Sequence, residues 1–412
     1  MRILIVTQYF WPENFRITDL AISLKSKGHD VTVLTGIPNY PSGKAYEGYN
    51  RWWKKRYEVM QGISLIRIPI FLRRESKGWQ LALNYLSFVV SGCLLAPWFL
   101  RNKKFDVIFC YEPSPVTVAL PAIVMKHVKK VPLLFWVQDL WPETLVATGA
   151  VQSSTILAMV KKMVKYIYRA CDYVLVQSRG FIAPVIAMGA ESEKVRYFPN
   201  WAELLYQPVD LDMTATERDE VPKQGFVVMF AGNLGVAQSL DTIVSAAERL
   251  KYEDIHWVFL GDGREKVWLQ NIIIEKALED KIHILGSRPI ETMPAYFSLA
   301  DVMLVTLRDD PVMATTIPGK VQSYLACGKP VIGALNGEGS KVIHESGAGY
   351  CTGADDVDGL ANAVLKMSQL SETERDNMGK SARRYYEQNF NRDMLISQLE
   401  EWMQDGCSGM DK

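Results

Sequence analysis

Strand and helix alternate along this 412-residue chain in two successive series, and that pattern predicts an α/β protein of two doubly wound, parallel-sheet domains facing a cleft. Three observations carry the prediction. Short apolar runs recur in the first half, at Ile3–Thr7, His29–Thr35, Ser64–Ile70, Asp106–Tyr111, Leu133–Gln138 and Tyr173–Gln177. Several of these are continuous in apolar character, as parallel strands buried on both faces are. The series restarts at Phe226–Ala231 and continues through His256–Leu260, Lys281–Leu285, Val302–Leu307 and Val331–Ala334, each followed by a helical period. Between the two lies Asn200–Gln224, polar, acidic and carrying Pro208 and Pro222, which reads as a linker. Domains of residues 1–203 and 204–391 follow.

Each part of the chain supports this division. A chain of this length, 48% hydrophobic, can bury two good-sized cores. The opening MRILIVTQYF has one arginine and then strand-like alternation, so it reads as a first core strand and not a cleaved signal. Ile17–Lys27 is an amphipathic helix that Gly28 ends. Six cysteines show no CxxC pair and no metal-ligand spacing, which suits a reducing cytosol. The five histidines are scattered, with none at ligand spacing.

Charge is unevenly divided. Residues 1–200 carry 26 Lys+Arg against 13 Asp+Glu, and residues 201–412 carry 20 against 33. Two functional surfaces are implied. Nucleic acid is a poor partner for the basic half, because no zinc-finger spacing or RNA-binding signature accompanies it. An anionic membrane face fits better. Lys54, Lys55, Arg56, Arg73 and Arg74 lead into Trp79–Leu100, twenty-two mostly apolar residues with Trp79 and Trp98 near the ends and further cations beyond. Gln80, Asn84, Ser87 and Ser91 recur along one helical side, and cations at both ends fit poorly with a membrane crossing. Two readings stay open: a helix lying in the membrane interface, or a buried core helix. Trp52-Trp53, beside the cations, could dip into the headgroup layer.

Chemistry-bearing residues collect at strand ends in the second half. Gly232-Asn233-Leu234-Gly235 follows the strand Phe226–Ala231, Gly261-Asp262-Gly263-Arg264 the next, and Gly286-Ser287-Arg288-Pro289 the one after. The strand Val302–Leu307 runs into a polar loop with Pro311 and Pro318, and a helix starts near Gly319-Lys320. Free N–H groups at that start, with Lys320 in its first turn, form an anion site at the carboxyl end of a parallel strand. A sugar-nucleotide diphosphate would fit there. Asp309-Asp310 is the nearest match to a metal-binding acidic motif.

These motifs, with ITDLAISLKSKGHDVTVLTG (17–36), ACDYVLVQSRG (170–180) and YLACGKPVI (324–332), resemble the retaining GT-B glycosyltransferases of the large family that includes glycogen- and mannosyl-type enzymes. TQYFWPENFR, VQDLWPE and TIPGKVQSYLACGKPV resemble, within it, bacterial enzymes of surface-polysaccharide assembly, and most of all the N-acetyl-L-fucosamine transferases of O-antigen and capsule synthesis. The resemblance implies a UDP-sugar donor, front-side transfer with retention, and a C-terminal helix, residues 392–412, returning to pack on the first domain.

Departures from the family pattern shape the expected site. Thr315 and Ser323 stand where two Glu residues would grip sugar and ribose, Asn233 and Gln238 where an Arg and a Lys would hold the diphosphate, and Gln138 where a histidine is common. Positive charge must then come from Lys320, Arg264 and Arg288 together with helix N-termini, with Thr316, Ile317, Pro318 and Gly319 forming the loop and Gly232 and Gly235 opening the backbone. No metal is expected, since Lys320 and N–H groups can stabilise a leaving diphosphate. Asp139 is the first choice for positioning or deprotonating the acceptor hydroxyl, with Glu112 and Glu143 next. Asn14 and Arg16 face the cleft, beside donor or acceptor phosphate.

The expected protein is a peripheral enzyme on the cytoplasmic face of the inner membrane. It moves a sugar from UDP to a saccharide on undecaprenyl diphosphate. Two rivals remain: a GT-B-fold nucleotide-sugar epimerase and a catalytically silent partner that kept the fold and lost the acids.

Overall fold

The structure, a computed structural model, describes all residues except 50–54, 74–77, 148, 213 and 410–412. Trp52, Trp53, Lys54 and Arg74 therefore lie outside the described residues. The chain forms two units, Met1–Phe198 with Asp393–Lys412, and Pro199–Arg392.

In the first unit the apolar runs become β1 (Arg2–Val6), β2 (Asp30–Thr35), β3 (Tyr57–Met60), β4 (Ile63–Arg67), β5 (Val107–Glu112), β6 (Leu133–Val137), β7 (Tyr173–Val176) and β8 (Val195–Tyr197). They form one sheet in the order β3-β4-β2-β1-β5-β6-β7-β8, parallel throughout except for the β3–β4 hairpin. β5 and β6 are buried along their whole length, the consequence of helices covering both faces. The chain winds outward in both directions from β1 and β5, so their carboxyl ends mark the topological switch point. β3 is not evident in the sequence because an edge hairpin, half-exposed and set among cations, lacks an apolar run.

The second unit is a six-stranded parallel sheet of β9 (Phe226–Ala231), β10 (Ile255–Leu260), β11 (Ile282–Gly286), β12 (Val302–Thr306), β13 (Val331–Ala334) and β14 (Gly349–Thr352). Its order is β11-β10-β9-β12-β13-β14, which puts the switch point between β9 and β12.

The unit boundary falls at Phe198–Pro199, ahead of residue 203. The reason is local: Gln322 Nε2 donates to the Asn200 carbonyl at 2.7 Å and the Tyr386 hydroxyl to that of Ala202 at 3.5 Å. The expected linker start is thus part of the second unit. The final helix, Arg392–Gly409, packs in the first unit, where Glu400 meets Lys27 and His29 and Trp402 meets Phe198 edge-on.

Candidate functional site

In the second unit, the carboxyl ends of β9 and β12 and the helix Gly319–Ala326 converge on one lysine. Lys320 Nζ donates to Gln238 Oε1 at 2.5 Å and stands 3.8 Å from the centre of the Phe230 ring. No carboxylate pairs with it among the described residues. Burial alone pushes its pKa down, to about 7, because a sealed ammonium loses its hydration. Gly232, at φ +141°, sits over it, and a Cβ there would come within 3.3 Å of Nζ. Glycine at this position leaves the approach to the amine open. The neighbouring turn is as tight: a Cβ on Gly261 would lie 1.9 Å from the Gly232 carbonyl oxygen.

Three groups fix the surrounding backbone. The Tyr324 hydroxyl accepts the Ala231 N–H at 3.0 Å and donates to the Ala231 carbonyl at 3.1 Å, clamping the helix to the end of β9. Arg308 donates from Nε to the Val236 carbonyl at 2.7 Å and from its backbone N–H to Ala237. The Thr306 hydroxyl donates to the Gln238 carbonyl. Together they hold the segment Val236–Gln238, and with it the Gln238 amide, against β12. The helix begins at Gly319 without a side-chain cap, and a Cβ at Gly319 would meet open space.

Several expected donor residues take other roles. Arg288 pairs with Glu220 at 2.6 Å and also donates to the Tyr296 hydroxyl and the Leu285 carbonyl, so its guanidinium is engaged within its own neighbourhood. The Thr315 hydroxyl turns back to the Val312 carbonyl and that of Ser323 to Gly319, each satisfying its own helix instead of reaching outward as a carboxylate would. The Thr316 hydroxyl does the same toward Val312, while Ile317 is buried and Pro318 precedes the helix. Asp310 caps a short helix by accepting from Val312 and Met313, and Asp309 accepts from Asn336. Asn233 and Arg264 are exposed on the two glycine turns, and Gly235 is buried. Among the described residues no cluster of three or more His, Cys, Asp or Glu side chains is suited to a metal ion.

In the first unit the switch point is acidic. Glu112 ends β5 fully buried, and its Oε2 accepts the backbone N–H groups of Gln138 and Asp139 at 3.2 and 3.4 Å. Its Oε1 has no partner. Burial, then the neighbouring Asp139 charge, hold the Glu112 carboxyl well above the usual carboxylate range. Asp139 is raised to about 6 by burial, against the opposing effect of a hydrogen bond from Ser114. Burial raises both carboxyls at this switch point, which makes them candidates for exchanging a proton with a bound hydroxyl. Gln138 follows β6, its carbonyl accepting from Gln177, and Glu143 opens the short helix Glu143–Ala147. Asn14 is exposed and Arg16 is half-buried at the start of the helix Arg16–Ser26, its charge acting on Tyr111.

Sequence reasoning missed Glu13, Tyr9 and Tyr85. Glu13 is buried and accepts from Phe10, Asn39 and Tyr40, tying the loop after β1 to the loop after β2, and burial lifts its pKa to about 7. Tyr9 stacks on Phe15 at 5.3 Å and bonds to Tyr85, whose hydroxyl senses both Arg73 and Asp139. A carboxylate in an otherwise aromatic loop, WPEN, was the available signal for Glu13.

The apolar helix Gly78–Phe99 is polar on its buried side. Asn84 Oδ1 accepts from Gln8 at 2.7 Å and its Nδ2 donates to the Phe71 carbonyl, while the Ser87 hydroxyl accepts from the Phe71 N–H. Phe88, Gly92 and Ala96 complete that inner side. Trp79, Leu83, Leu86, Val90, Leu94 and Trp98 are exposed, Leu94 by 71% and Trp98 by 59%. A wholly buried core helix is excluded.

Both halves of the chain match described families. Residues 225–369 match "Glycosyl transferases group 1" and residues 14–201 match "Glycosyl transferase 4-like domain". The chain is 25% identical over 314 residues to the putative colanic acid biosynthesis glycosyl transferase WcaI of Escherichia coli, covering 74% of this chain and 75% of that protein. It is 23% identical over 303 residues to the probable glycosyltransferase WbjE of Pseudomonas aeruginosa, covering 70% and 72%. Among solved structures it shares its fold with Anabaena HepE in complex with UDP, at TM-score 0.69, 16% identity and 98% and 100% coverage. It shares it also with sucrose-phosphate synthase of Thermosynechococcus elongatus, at TM-score 0.72, 18% identity and 98% coverage of each chain.

Proposed function

We infer, for a chain that belongs to the group 1 glycosyltransferases and has the GT-B fold, that it transfers a sugar from a UDP-sugar to a saccharide carried on polyprenyl diphosphate, with retention at the anomeric carbon. The observation that carries this reading is Lys320, a largely desolvated amine with no counter-ion among the described residues, approached past Gly232 at the end of β9. A buried cation without an anion is costly, and the leaving diphosphate is the anion the reaction generates. UDP is supported by its presence on HepE, and surface-polysaccharide synthesis by the names of the relatives WcaI and WbjE. N-acetyl-L-fucosamine as the sugar rests on the sequence resemblance.

Each unit supplies its own groups to the chemistry. The anomeric C–O bond breaks with its electron pair leaving on the diphosphate, whose charge Lys320 and the open N–H groups at Gly319-Lys320 stabilise without a divalent ion. The acceptor oxygen attacks the same face of the sugar. Its proton passes to the leaving phosphate or to Asp139, which positions the hydroxyl. Glu112 steadies the Gln138-Asp139 backbone by accepting both N–H groups. The exposed apolar stripe of the helix Gly78–Phe99 rests on the cytoplasmic face of the inner membrane, where a lipid-linked acceptor is presented.

Thermal stabilisation by UDP, GDP, ADP and dTDP at saturation tests the donor, because a ligand that binds only the folded state stabilises it by mass action. A shift with UDP alone, abolished by Lys320→Ala and insensitive to EDTA, is the expected result. No shift with any nucleotide overturns the reading in favour of a catalytically silent partner.

A further inference from the structure

At the C-terminal end of the exposed apolar helix the chain builds a small pocket of about 220 Å³, lined by Arg56, Tyr57, Trp98, Phe99, Arg101 and Asn102. Its chemistry is specific. The Arg56 guanidinium lies 4.7 Å from the Tyr57 ring centre and 4.9 Å from that of Phe99, and the Arg101 guanidinium lies 5.2 Å from Trp98. A guanidinium stacked on rings has dry faces and presents only its N–H edge, the geometry that grips two oxygens of one phosphate. Neither guanidinium has a carboxylate partner among the described residues. Glu58, the acid nearest in sequence to Arg56, pairs instead with Lys55 and Arg67. The Arg56 Nε is buried without an acceptor, and buried donors in folded proteins are nearly always matched.

Position supplies the second constraint. The exposed stripe Trp79, Leu83, Leu86, Val90, Leu94 and Trp98 runs along one side of the helix for about 28 Å and ends at the pocket. Tyr57 of β3 is exposed and meets the Phe99 ring edge-on, and Val59 of the same strand is exposed as well. A ligand that satisfies both features has an apolar body continuous with a single phosphodiester.

We propose that this pocket binds the phosphodiester of an anionic phospholipid, with Arg56 and Arg101 holding the phosphate oxygens while the stripe on the helix Gly78–Phe99 covers acyl chain. This rests on the membrane reading given under the proposed function and makes it specific: the protein recognises one headgroup at a defined place, and the helix is oriented by it.

The test uses dihexanoylphosphatidylglycerol below its micelle concentration, with the equivalent phosphatidylcholine as control, titrated into the full chain. The phosphatidylglycerol binds, and R56Q/R101Q weakens it at least roughly tenfold, as loss of charge-assisted bonds to one phosphate requires. K161Q/K162Q, which removes the same charge from the helix Ser154–Ala170, leaves binding within about twofold. Equal weakening by both variants overturns the pocket in favour of a diffuse basic field. Equal binding of the two lipids overturns it as well. Displacement by farnesyl diphosphate at lower concentration than by phosphatidylglycerol reassigns the pocket to the acceptor diphosphate and overturns the headgroup assignment. Stabilisation by UDP is measured on every variant and is unchanged in each; if the unsubstituted chain is stabilised by UDP but does not bind phosphatidylglycerol, the pocket fails and the transferase reading stands.

Discussion

Lys320 in the second unit lies half-buried against Phe230 and Gln238 with no carboxylate beside it among the described residues, whereas buried Glu112 and half-buried Asp139 in the first unit stand at the ends of β5 and β6 with no ion-paired cation among the described residues. Both sites sit at the switch point of a parallel sheet, and both hold the charge that a fold left to itself would pair or discard. The shifts run in opposite directions, Lys320 down to about 7 and Asp139 up to about 6, from the same cause, desolvation. The contrast teaches that each unit is electrostatically incomplete in its own way. The second awaits an anion, and the first awaits a proton donor such as an acceptor hydroxyl.

The comparison breaks most sharply at Asp139. Asp139→Asn lowers turnover by about 10²–10⁴ while leaving UDP stabilisation intact, if general-base or positioning work is its role. Glu112→Gln gives the counterpart measurement. Because Glu112 acts by accepting the Gln138 and Asp139 N–H groups, the amide oxygen substitutes for it and turnover stays within roughly threefold. A large loss at Glu112 with none at Asp139 reverses the assignment.

Lys320→Ala is next in size, with a loss of about 10²–10³ in turnover together with weakened UDP binding, the range found when one preorganised donor to a developing anion is removed. Its pH dependence sharpens the point. In the free protein Lys320 titrates near 7, and a bound diphosphate raises that value. Between the two values binding takes up a proton, so UDP affinity falls as pH rises above about 7, by up to about tenfold per unit. Calorimetry in two buffers of different ionisation enthalpy reads that proton directly, and Lys320→Gln abolishes it.

Smaller effects separate structural from ligand-binding roles. Tyr324→Phe leaves the buried Ala231 N–H without its acceptor and destabilises the second unit by about 1–3 kcal/mol, measured by denaturant unfolding. Arg288→Gln costs only about 0–1 kcal/mol of stability and leaves UDP affinity unchanged, since its partners are Glu220 and Tyr296. A marked loss of UDP affinity in that variant would restore Arg288 to the donor site.

Periodicity and strand-end chemistry by themselves determined the inner strands of the two sheets and placed the Gly232 turn, Lys320, Asp139 and Glu112 near strand ends, while the edge strands β3, β8 and β14 were not read, because buried parallel strands impose continuous apolar runs that edge strands lack. Pairing was not legible. Arg264 and Arg288 are alike in sequence, each following a glycine turn, yet Arg288 is engaged by Glu220, 68 residues away, and Arg264 is exposed. The apolar segment Trp79–Leu100 read as an interfacial helix with a buried core helix as the alternative, and the packing of Asn84 and Ser87 against Gln8 and Phe71 is what turned its apolar side outward. Local sequence fixes which backbone forms a strand and which face of it is apolar. Whether a charge is paired, buried alone or left in water depends on residues that only the tertiary fold brings within a few ångströms, and that is where the chemistry of this protein was decided.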